Sequence, residues 1–578
     1  MRRWTIALTK PQGPFWALVA HFVKRVFAND DEQGGSSASL GVGAVLAILA
    51  SPGAFASIFL LDKYSTLLQW FRGQQNFNPY KASVGDEYFF VVLSMTITGL
   101  VMVLRWNRLL PDRRDFANLA VLPIPIRNVF LANFTGLLGL ALVFGIDVNA
   151  VSSFLFPVFV TVSDGSVSAF AHLALAHAAA VFSASLFSFF AVFALVGVLM
   201  LLLPSRLFRP VSIGVRVVLV VALLSEFLSN LFLQLFTGRL PHLREAYMRW
   251  LPSYWFLGIY ERVGGFANAR MNALAREAVT ALLVAIVIAV VAYALCYRRH
   301  FLRLAESLDL IGSVRLSFRV VLPAALTRYL FRSDFEHACH SFMRAVLLRS
   351  ERHVMSFGGY LGIGLVMAAQ TAADGAAQAS RGAVPGSEWL AVPLILAFFV
   401  VTGLRFALDI PAALQANWVF RVATENARPR PQAVVRRFML WAVVPGQVLV
   451  VGAITARQFG WAVAGEHVAT LVVLTVLLMD TLLLGFRKIP FTCSMQLDSK
   501  QLLFRILACV LSVLIVVPML AHFERWMLQQ PVRFTVLALL AAGAWFWLWR
   551  YKKGMLPAEH TLTFEEQASS AFELLKLA

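Results

Sequence analysis

Long apolar runs alternate with short polar segments along almost the whole chain, and the first of these runs begins at Leu40. A helix needs about 20 apolar residues to cross the hydrocarbon layer of a membrane, and the pattern predicts twelve crossings. The predicted spans are 40–61, 88–104, 129–147, 169–203, 211–236, 277–296, 355–372, 389–404, 438–455, 468–485, 506–521 and 534–549. The predicted fold class is therefore all-α, a polytopic integral membrane protein with about 12 transmembrane helices.

Four stretches depart from this simple alternation. Residues 14–27 (PFWALVAHFVKRVF) have an aromatic and aliphatic face and are predicted to lie in the membrane interface. The run 169–203 is too long for one straight crossing, so a tilt or a start in the interface is expected. The apolar segment 148–162 is predicted either to lengthen the third helix or to re-enter the membrane. The loop 237–276 has the Trp and Tyr content of interfacial or re-entrant helices.

Charge sets the expected orientation. Only 14% of the residues are charged, whereas soluble domains average about 25%, so the composition also indicates an integral membrane protein. The net charge of +19 does not indicate a nucleic-acid partner, because the basic residues lie between apolar spans and are expected to face membrane lipids. With both termini inside, 37 of the 50 lysines and arginines are cytoplasmic, which favours an N-in, C-in topology. The six arginines of loop 237–276 do not fit this topology, which places the loop outside. Placing that loop inside shifts the crossing count by one.

The chain also contains an internal similarity. Positions 101–111 (VMVLRWNRLLP) and 401–411 (VTGLRFALDIP) share four identical residues at an offset of 300, and an Ala–Asn pair follows each copy. Each copy closes the second helix of a six-helix half, which favours a duplication, a known transporter layout. The predicted organisation is a cytoplasmic amphipathic N-terminal segment (1–39), a first six-helix half (40–296), a basic cytoplasmic linker (297–354), a second six-helix half (355–549) and a cytoplasmic tail (550–578).

Motifs of enzyme chemistry are missing from the sequence. There is no GxxxxGK[ST], HExxH or GxSxG motif, and the four cysteines are scattered without metal-ligand spacing. We therefore expect no catalytic residues, no metal and no cofactor in this chain. The intramembrane polar candidates are Glu226 with Asn230 one turn on, and Asp480. Each has either a transport function or a structural hydrogen-bonding role.

Two basic segments are predicted on the inner side, one between the second and third spans and one between the two halves. Residues 105–134 carry five arginines and an amphipathic stretch that ends at Pro123 and Pro125. Such a loop is either a docking surface for a soluble partner or a membrane-surface turn whose arginines contact lipid headgroups. Residues 297–354 carry ten arginines and four histidines and are predicted to form amphipathic helices on the inner leaflet.

Four short sequence segments, the phrases given next, resemble those of a known family. They are LLPDRRDFANLAVLPIPIRNVFLANF (109–134), LPSYWFLGIYE (251–261), PAALQANWVFRV (411–422) and RKIPFTCSMQ (487–496). With these phrases the chain resembles the type-2 ABC exporter permeases, in the branch where two six-helix halves are fused. The resemblance implies a plasma membrane location of the bacterial inner-membrane type and separate P-loop ATPase subunits that bind ATP and Mg²⁺.

The resemblance also implies two cytoplasmic coupling helices, near 109–119 and 411–422. The residues expected to contact the ATPase subunits are Arg113, Arg114 and Asp115 in the first helix, and Asn417, Arg421 and Glu425 in the second. Outer-face helices would correspond to 240–263, and the second half departs from this pattern because its outer loop 522–533 is too short.

Two other classes of function stay open. The first is a twelve-helix secondary transporter driven by an ion gradient, because Asp112-Arg113-Arg114 is similar to part of the loop motif of major facilitators. Against it, the glycine-rich frame of that motif is missing. The second is a scaffold or a membrane-integrated lipid enzyme. A neighbouring ATPase gene distinguishes the exporter hypothesis, since only that hypothesis requires one.

Overall fold

The computed structural model describes residues 13–27, 42–65, 78–106, 109, 124–162, 165–236, 249–306, 333–377, 385–412, 417, 420, 431–484, 486, 488–493 and 507–555. Every regular element in these ranges is helical, as the sequence predicts. The chain divides into two compact units, Met1–Leu316 (unit 1) and Ser317–Ala578 (unit 2). The boundary lies inside the predicted linker 297–354, so the two ends of that linker belong to different units.

The described part of unit 1 starts with a short amphipathic helix, and long apolar helices follow. Its described helices are α1 (Pro14–Phe27), α2 (Val42–Tyr64), α3 (Pro79–Leu104), α4 (Ile126–Thr161), α5 (Val167–Leu202), α6 (Ser205–Phe236), α7 (Pro252–Val263) and α8 (Ala269–Glu306). The segment 148–162 lengthens the third crossing helix, one of the two predicted alternatives, because α4 continues without a break to Thr161.

Unit 2 repeats this order without a counterpart of α7 among its described residues. Its helices are α9 (Asp334–Arg349), α10 (Glu351–Ala377), α11 (Ser387–Ala407), α12 (Pro431–Gly446, continuing through a π-helical turn Gln447–Val451 to Gly452–Phe459), α13 (Trp461–Leu482), α14 (Leu507–Leu528, with a π-helical turn at Ser512–Val516) and α15 (Phe534–Met555). Among the described residues of each unit, an amphipathic helix therefore precedes six long helices.

Eleven helices in the described part of the chain are long and apolar enough to cross a membrane. The chain is thus a polytopic, all-helical membrane protein. The predicted span 40–61 corresponds to α2, a helix of 23 residues that is not among those eleven. The run 169–203 forms the single 36-residue helix α5.

Several helices extend well beyond the predicted spans. The predicted second span began at residue 88, but α3 begins at Pro79, where the side chain of Asn78 caps the helix by accepting from the backbone N–H of Lys81. Proline is favoured in the first turn of a helix and asparagine at the cap. The eleventh predicted span ended at residue 521, whereas α14 continues to Leu528. These extensions bring charged residues into the helix bundles.

The core of unit 1 lies where α3, α5, α7 and α8 meet. Small residues let the helices approach closely, as membrane helices commonly do. A methyl group on Gly197 of α5 would lie 2.8 Å from the side chain of Ala292 on α8. In unit 2 one apolar cluster joins α9 to α11, α12 and α13, and a second joins α10, α11 and α14.

Candidate functional site

Two adjacent carboxylates, Asp86 and Glu87, lie in the first third of α3 and have no exposed surface. The predicted span began one residue after them, so the sequence interpretation placed both in a loop. That placement was wrong, because the cap at Asn78 starts the helix earlier. Neighbouring positions on a helix point in different directions, so the two carboxylates have different partners.

Asp86 pairs with the end of α2. Both of its carboxylate oxygens accept from the ammonium of Lys63, at 2.8 and 2.7 Å, and one also accepts from the hydroxyl of Tyr64 at 2.5 Å. The side chain of Lys63 is 31% exposed and that of Asp86 is not exposed at all. A buried charge is tolerated only when it is paired and hydrogen-bonded, and this ion pair meets that condition.

Glu87 pairs with α5. One of its carboxylate oxygens lies 2.5 Å from Nδ1 of His177, whose Nε2 lies 3.3 Å from the hydroxyl of Ser152 on α4. The side chains of Glu87 and His177 are both fully buried. The second oxygen of Glu87 has no hydrogen-bond partner among the described residues. The imidazole is packed edge-to-face against Phe90, with ring centroids 5.2 Å apart.

Further along α3, hydroxyl groups tie the helices together. Ser185 of α5 lies 2.5 Å from Ser94, 3.1 Å from Thr98 and 3.0 Å from the amide nitrogen of Asn149. Such interhelical bonds are each worth about 0.6–2 kcal/mol in a membrane. This group satisfies its members internally, so its role is structural.

The predicted candidates Glu226 and Asn230 lie on α6. Glu226 accepts a hydrogen bond from Ser253 at the start of α7, and the hydroxyl of Ser253 is also 3.3 Å from that of Tyr88. Asn230 is buried, and its amide nitrogen has no hydrogen-bond partner within the described ranges. Glu226 therefore links α6 to α7.

Helix α7 covers the same end of the bundle. Its Tyr260 is buried and shares a 3.0 Å hydrogen bond with Ser83 of α3. Burial raises the pKa of the Tyr260 hydroxyl and that of the Glu261 carboxyl, which is largely buried as well. Burial therefore disfavours the charged form of both groups.

Unit 2 contains a second buried histidine–glutamate pair. Nδ1 of His467, on α13, lies 2.6 Å from a carboxylate oxygen of Glu524, on α14, and neither side chain has exposed surface. The other oxygen of Glu524 and Nε2 of His467 have no hydrogen-bond partner in the described part of the chain. The ring of Trp389, on α11, lies 5.7 Å from the imidazole.

The predicted candidate Asp480 has a complete set of partners. Its carboxylate accepts from Arg436 of α12 at 2.7 and 3.2 Å and from the indole of Trp545 on α15 at 3.0 Å. Arg436 is about one-third exposed at its side chain and Asp480 is buried. This geometry holds three helices together and favours the structural alternative for Asp480.

The segment that follows α11 is tied to the segment that follows α13. Phe491 donates from its backbone N–H to the carbonyl of Leu408 at 3.2 Å and accepts from Ala412 at 3.0 Å. The side-chain amide of Asn417 donates to the carbonyl of Thr492 at 2.6 Å. Phe491 has a φ of 67°, a left-handed conformation uncommon for a bulky residue. We call residues 408–412, 417 and 488–492 the linker clamp; they lie outside the basic linker 297–354.

Charged side chains complete the linker clamp. Asp409 forms ion pairs with Arg405 and, at 2.9 Å, with Lys488. Burial by itself raises the pKa of Asp409, but the two cations outweigh it and hold the pKa below its ordinary value. From α9, Phe342 packs against Phe491 with ring centroids 5.7 Å apart. The amphipathic helix α9 is therefore packed onto the clamp.

Most of the predicted partner-binding residues cannot be placed. Arg113, Arg114 and Asp115 lie outside the described residues, and so do Arg421 and Glu425. Asn417 is the predicted coupling residue that the structure describes. It is buried, and its side-chain amide donates to the carbonyl of Thr492 within the chain.

In the described part of the chain, no group of three or more His, Cys, Asp or Glu side chains is arranged to hold a metal ion. No family model, no curated protein and no solved structure matches the chain. Its function is therefore argued from the chemistry of the residues themselves.

Sequence reasoning missed Asp86, Glu87 and Glu524 because it ended the spans at the last apolar residue. A signal for Asp86 and Glu87 was available, since Asn78 and Pro79 form a helix start. Glu524 had no comparable signal, because it lies three residues past the apolar run and is buried only by the fold.

Proposed function

We propose that the chain is the transmembrane permease subunit of an ATP-driven ABC exporter, with two fused six-helix halves. In this proposal both termini are cytoplasmic, the chain resides in a plasma membrane of the bacterial inner-membrane type, and separate P-loop ATPase subunits bind ATP and Mg²⁺. The order of helices supports a duplicated architecture, because in the described part of each unit an amphipathic helix precedes six long helices.

The observation that carries the proposal is the linker clamp. An exporter driven by external ATPase subunits needs a surface segment whose displacement moves several membrane helices together. In unit 2 the chain after α11 is bound through backbone and side-chain hydrogen bonds to the chain after α13. A push on residues 411–422 would therefore reach α11 and α13 together, with α9 packed on the same group.

The first test is affinity purification of the tagged chain with mass spectrometry of the proteins that accompany it. We expect a stoichiometric P-loop ATPase in the wild type. The variant carrying Arg113→Glu with Arg114→Glu should insert normally but lose that partner. The matched control is Arg249→Glu with Arg262→Glu, which reverses two arginines of the predicted outer loop and should retain it. Coupled transport that survives the first variant contradicts the proposal.

An ion-gradient-driven twelve-helix transporter is the second candidate, and the buried carboxylates favour it. Glu87 and Glu524 each face a histidine inside the bundle, and buried ionisable residues often mark ion pathways. Transport by the purified chain alone in proteoliposomes distinguishes the two. Uptake that follows an imposed gradient, stops with an ionophore and needs no ATPase supports the second candidate and rejects the first.

A further inference from the structure

The histidines of the two histidine–glutamate pairs correspond in position, although the glutamates do not. His177 is the eleventh residue of α5 and His467 the seventh of α13, and these are the fourth long helices of their units. An aromatic side chain of the second long helix packs on each imidazole, Phe90 in unit 1 and Trp389 in unit 2. The partner carboxylate comes from α3 in one unit and from α14 in the other.

The contact geometry constrains the number of protons. The Nδ1 atom of an imidazole and a carboxylate oxygen that face each other at 2.5–2.6 Å cannot both present lone pairs. One hydrogen must lie between them, carried either by the ring or by the acid. A neutral imidazole has one hydrogen of its own, so the pair has a net charge of −1 without an added proton, zero with one and +1 with two. In a site with no exposed surface the two charged states are strongly disfavoured, which leaves the pair with one added proton.

We propose that the Glu87–His177 and Glu524–His467 pairs are proton-binding sites, each holding one proton between imidazole and carboxylate while the helices are packed. When the helices separate, water replaces the partner and the proton leaves to the solvent. The products of that step are a neutral imidazole, a carboxylate and one hydrated proton. Helix separation in each unit is thereby coupled to proton release.

The charged and titratable groups around each pair leave the pair itself as the group that loses a proton when the helices separate. Close to Glu87 are Asp86, already neutralised by Lys63, and the hydroxyls of Tyr64 and Tyr260. On the elements around Glu524, Glu388 interacts electrostatically with His522 and with Arg525. Glu466 precedes His467 on α13. No cation in the described residues is paired with either glutamate.

The pH dependence of helix separation, which opens the pair to water, follows from counting the protons that the pair holds before and after it. In water an imidazole has a pKa of about 6.5 and a glutamate of about 4.3, so above pH 7.5 an opened pair holds almost no proton. Opening then releases one proton per pair, and its equilibrium constant should rise about tenfold per pH unit. Between roughly pH 4.5 and 6 an opened pair also holds about one proton, so opening there should not depend on pH.

The proton itself is tested by solid-state NMR of the full chain in lipid nanodiscs with ¹⁵N-labelled histidine. Of the 11 histidines, we expect two to keep a hydrogen on Nε2 together with a hydrogen-bonded Nδ1 from pH 6 to 8.5, whether the shared proton lies on the ring or on the acid. A hydrogen on Nδ1 alone would show that the pair holds no added proton and would contradict the proposal. Glu87→Gln should alter one of these signals and Glu524→Gln the other, while His172→Asn and His522→Asn, which remove exposed histidines, should alter neither. Ordinary titration of every histidine near pH 6.5 overturns the proposal, and wild-type spectra alone decide this.

Opening is measured by thiol labelling at buried alanines one turn from each pair. Ala180→Cys reports on unit 1 and Ala521→Cys on unit 2, and both positions are fully buried. After correction for the pH dependence of a free thiol, labelling should accelerate about tenfold from pH 7.5 to 8.5. Glu87→Gln should abolish this acceleration in unit 1 only, so unit 2 is the internal control. Identical pH profiles with and without the glutamate contradict the proposal.

Both experiments use the chain without a partner protein or a transported substrate. Failure to find the bound protons therefore leaves the exporter proposal intact, and failure to find an ATPase leaves the proton sites intact.

Discussion

The side-chain amide of Asn417 donates a 2.6 Å hydrogen bond to the backbone carbonyl of Thr492. Asn417 is 8% exposed and belongs to the segment for which the resemblance implies contact with an ATPase subunit. Its hydrogen bond holds two inter-helix segments of unit 2 together. The residue therefore acts on the shape of the proposed coupling surface.

Asn417→Ala should loosen the linker clamp. A buried carbonyl left without its donor destabilises by roughly 1–3 kcal/mol, and the coupling of ATPase activity to transport should fall. The matched control is Gln432→Ala, which removes a 2.8 Å amide–carbonyl bond from Gln432 to Leu483 in the same unit. Thermal unfolding and substrate-stimulated ATPase activity measure the two effects. Equal uncoupling by both variants contradicts a specific role for the clamp.

Asp409 gives the clamp an acid-sensitive contribution to stability. Its folded-state pKa is lowered by Arg405 and Lys488, so the contribution is fully present above the ordinary aspartate pKa of about 3.9. It is lost as the pH falls through the lowered value. Asp409→Asn should therefore unfold at a lower temperature than the wild type at pH 6, and the difference should shrink towards pH 3. A difference that grows on acidification contradicts this assignment.

The Lys63–Asp86 pair should respond asymmetrically to substitution. Lys63→Met leaves the fully buried carboxylate of Asp86 without its cation, which destabilises by roughly 3–5 kcal/mol at most. Asp86→Asn leaves an ammonium on a side chain that is 31% exposed and can be hydrated, so its effect should be smaller. Thermal unfolding of both variants and of the double variant measures the asymmetry. A larger effect of Asp86→Asn contradicts the explanation.

Helix α7 is packed against α8 through Gly258. A methyl group at this position would lie 2.6 Å from the backbone nitrogen of Ala275 and 2.7 Å from the carbonyl oxygen of Met271. Overpacking of this kind destabilises by about 1–3 kcal/mol, so Gly258→Ala should lower the unfolding temperature. Gly214→Ala is the control, because a methyl group there has no neighbour within 4 Å. Equal behaviour of the two variants contradicts close packing of α7.

The sequence by itself determined the fold class and most of the helices. Long apolar runs cannot remain in water and cannot cross lipid unless their backbone groups bond internally, so they must be helices. Glu226 and Asp480 were also found from the sequence, since each carboxylate interrupts an apolar run. Helix ends were less accurate, because a span reaches past its apolar part wherever the fold buries polar residues, as at Glu87 and Glu524.

The tertiary structure alone decided which polar groups meet. Ninety residues separate Glu87 from His177 and fifty-seven separate His467 from Glu524, and no sequence spacing encodes those distances. Each pair exists because packed helices exclude water around two groups that would otherwise be hydrated separately. The sequence supplies the acid and the imidazole, and the helix packing places a single proton between them.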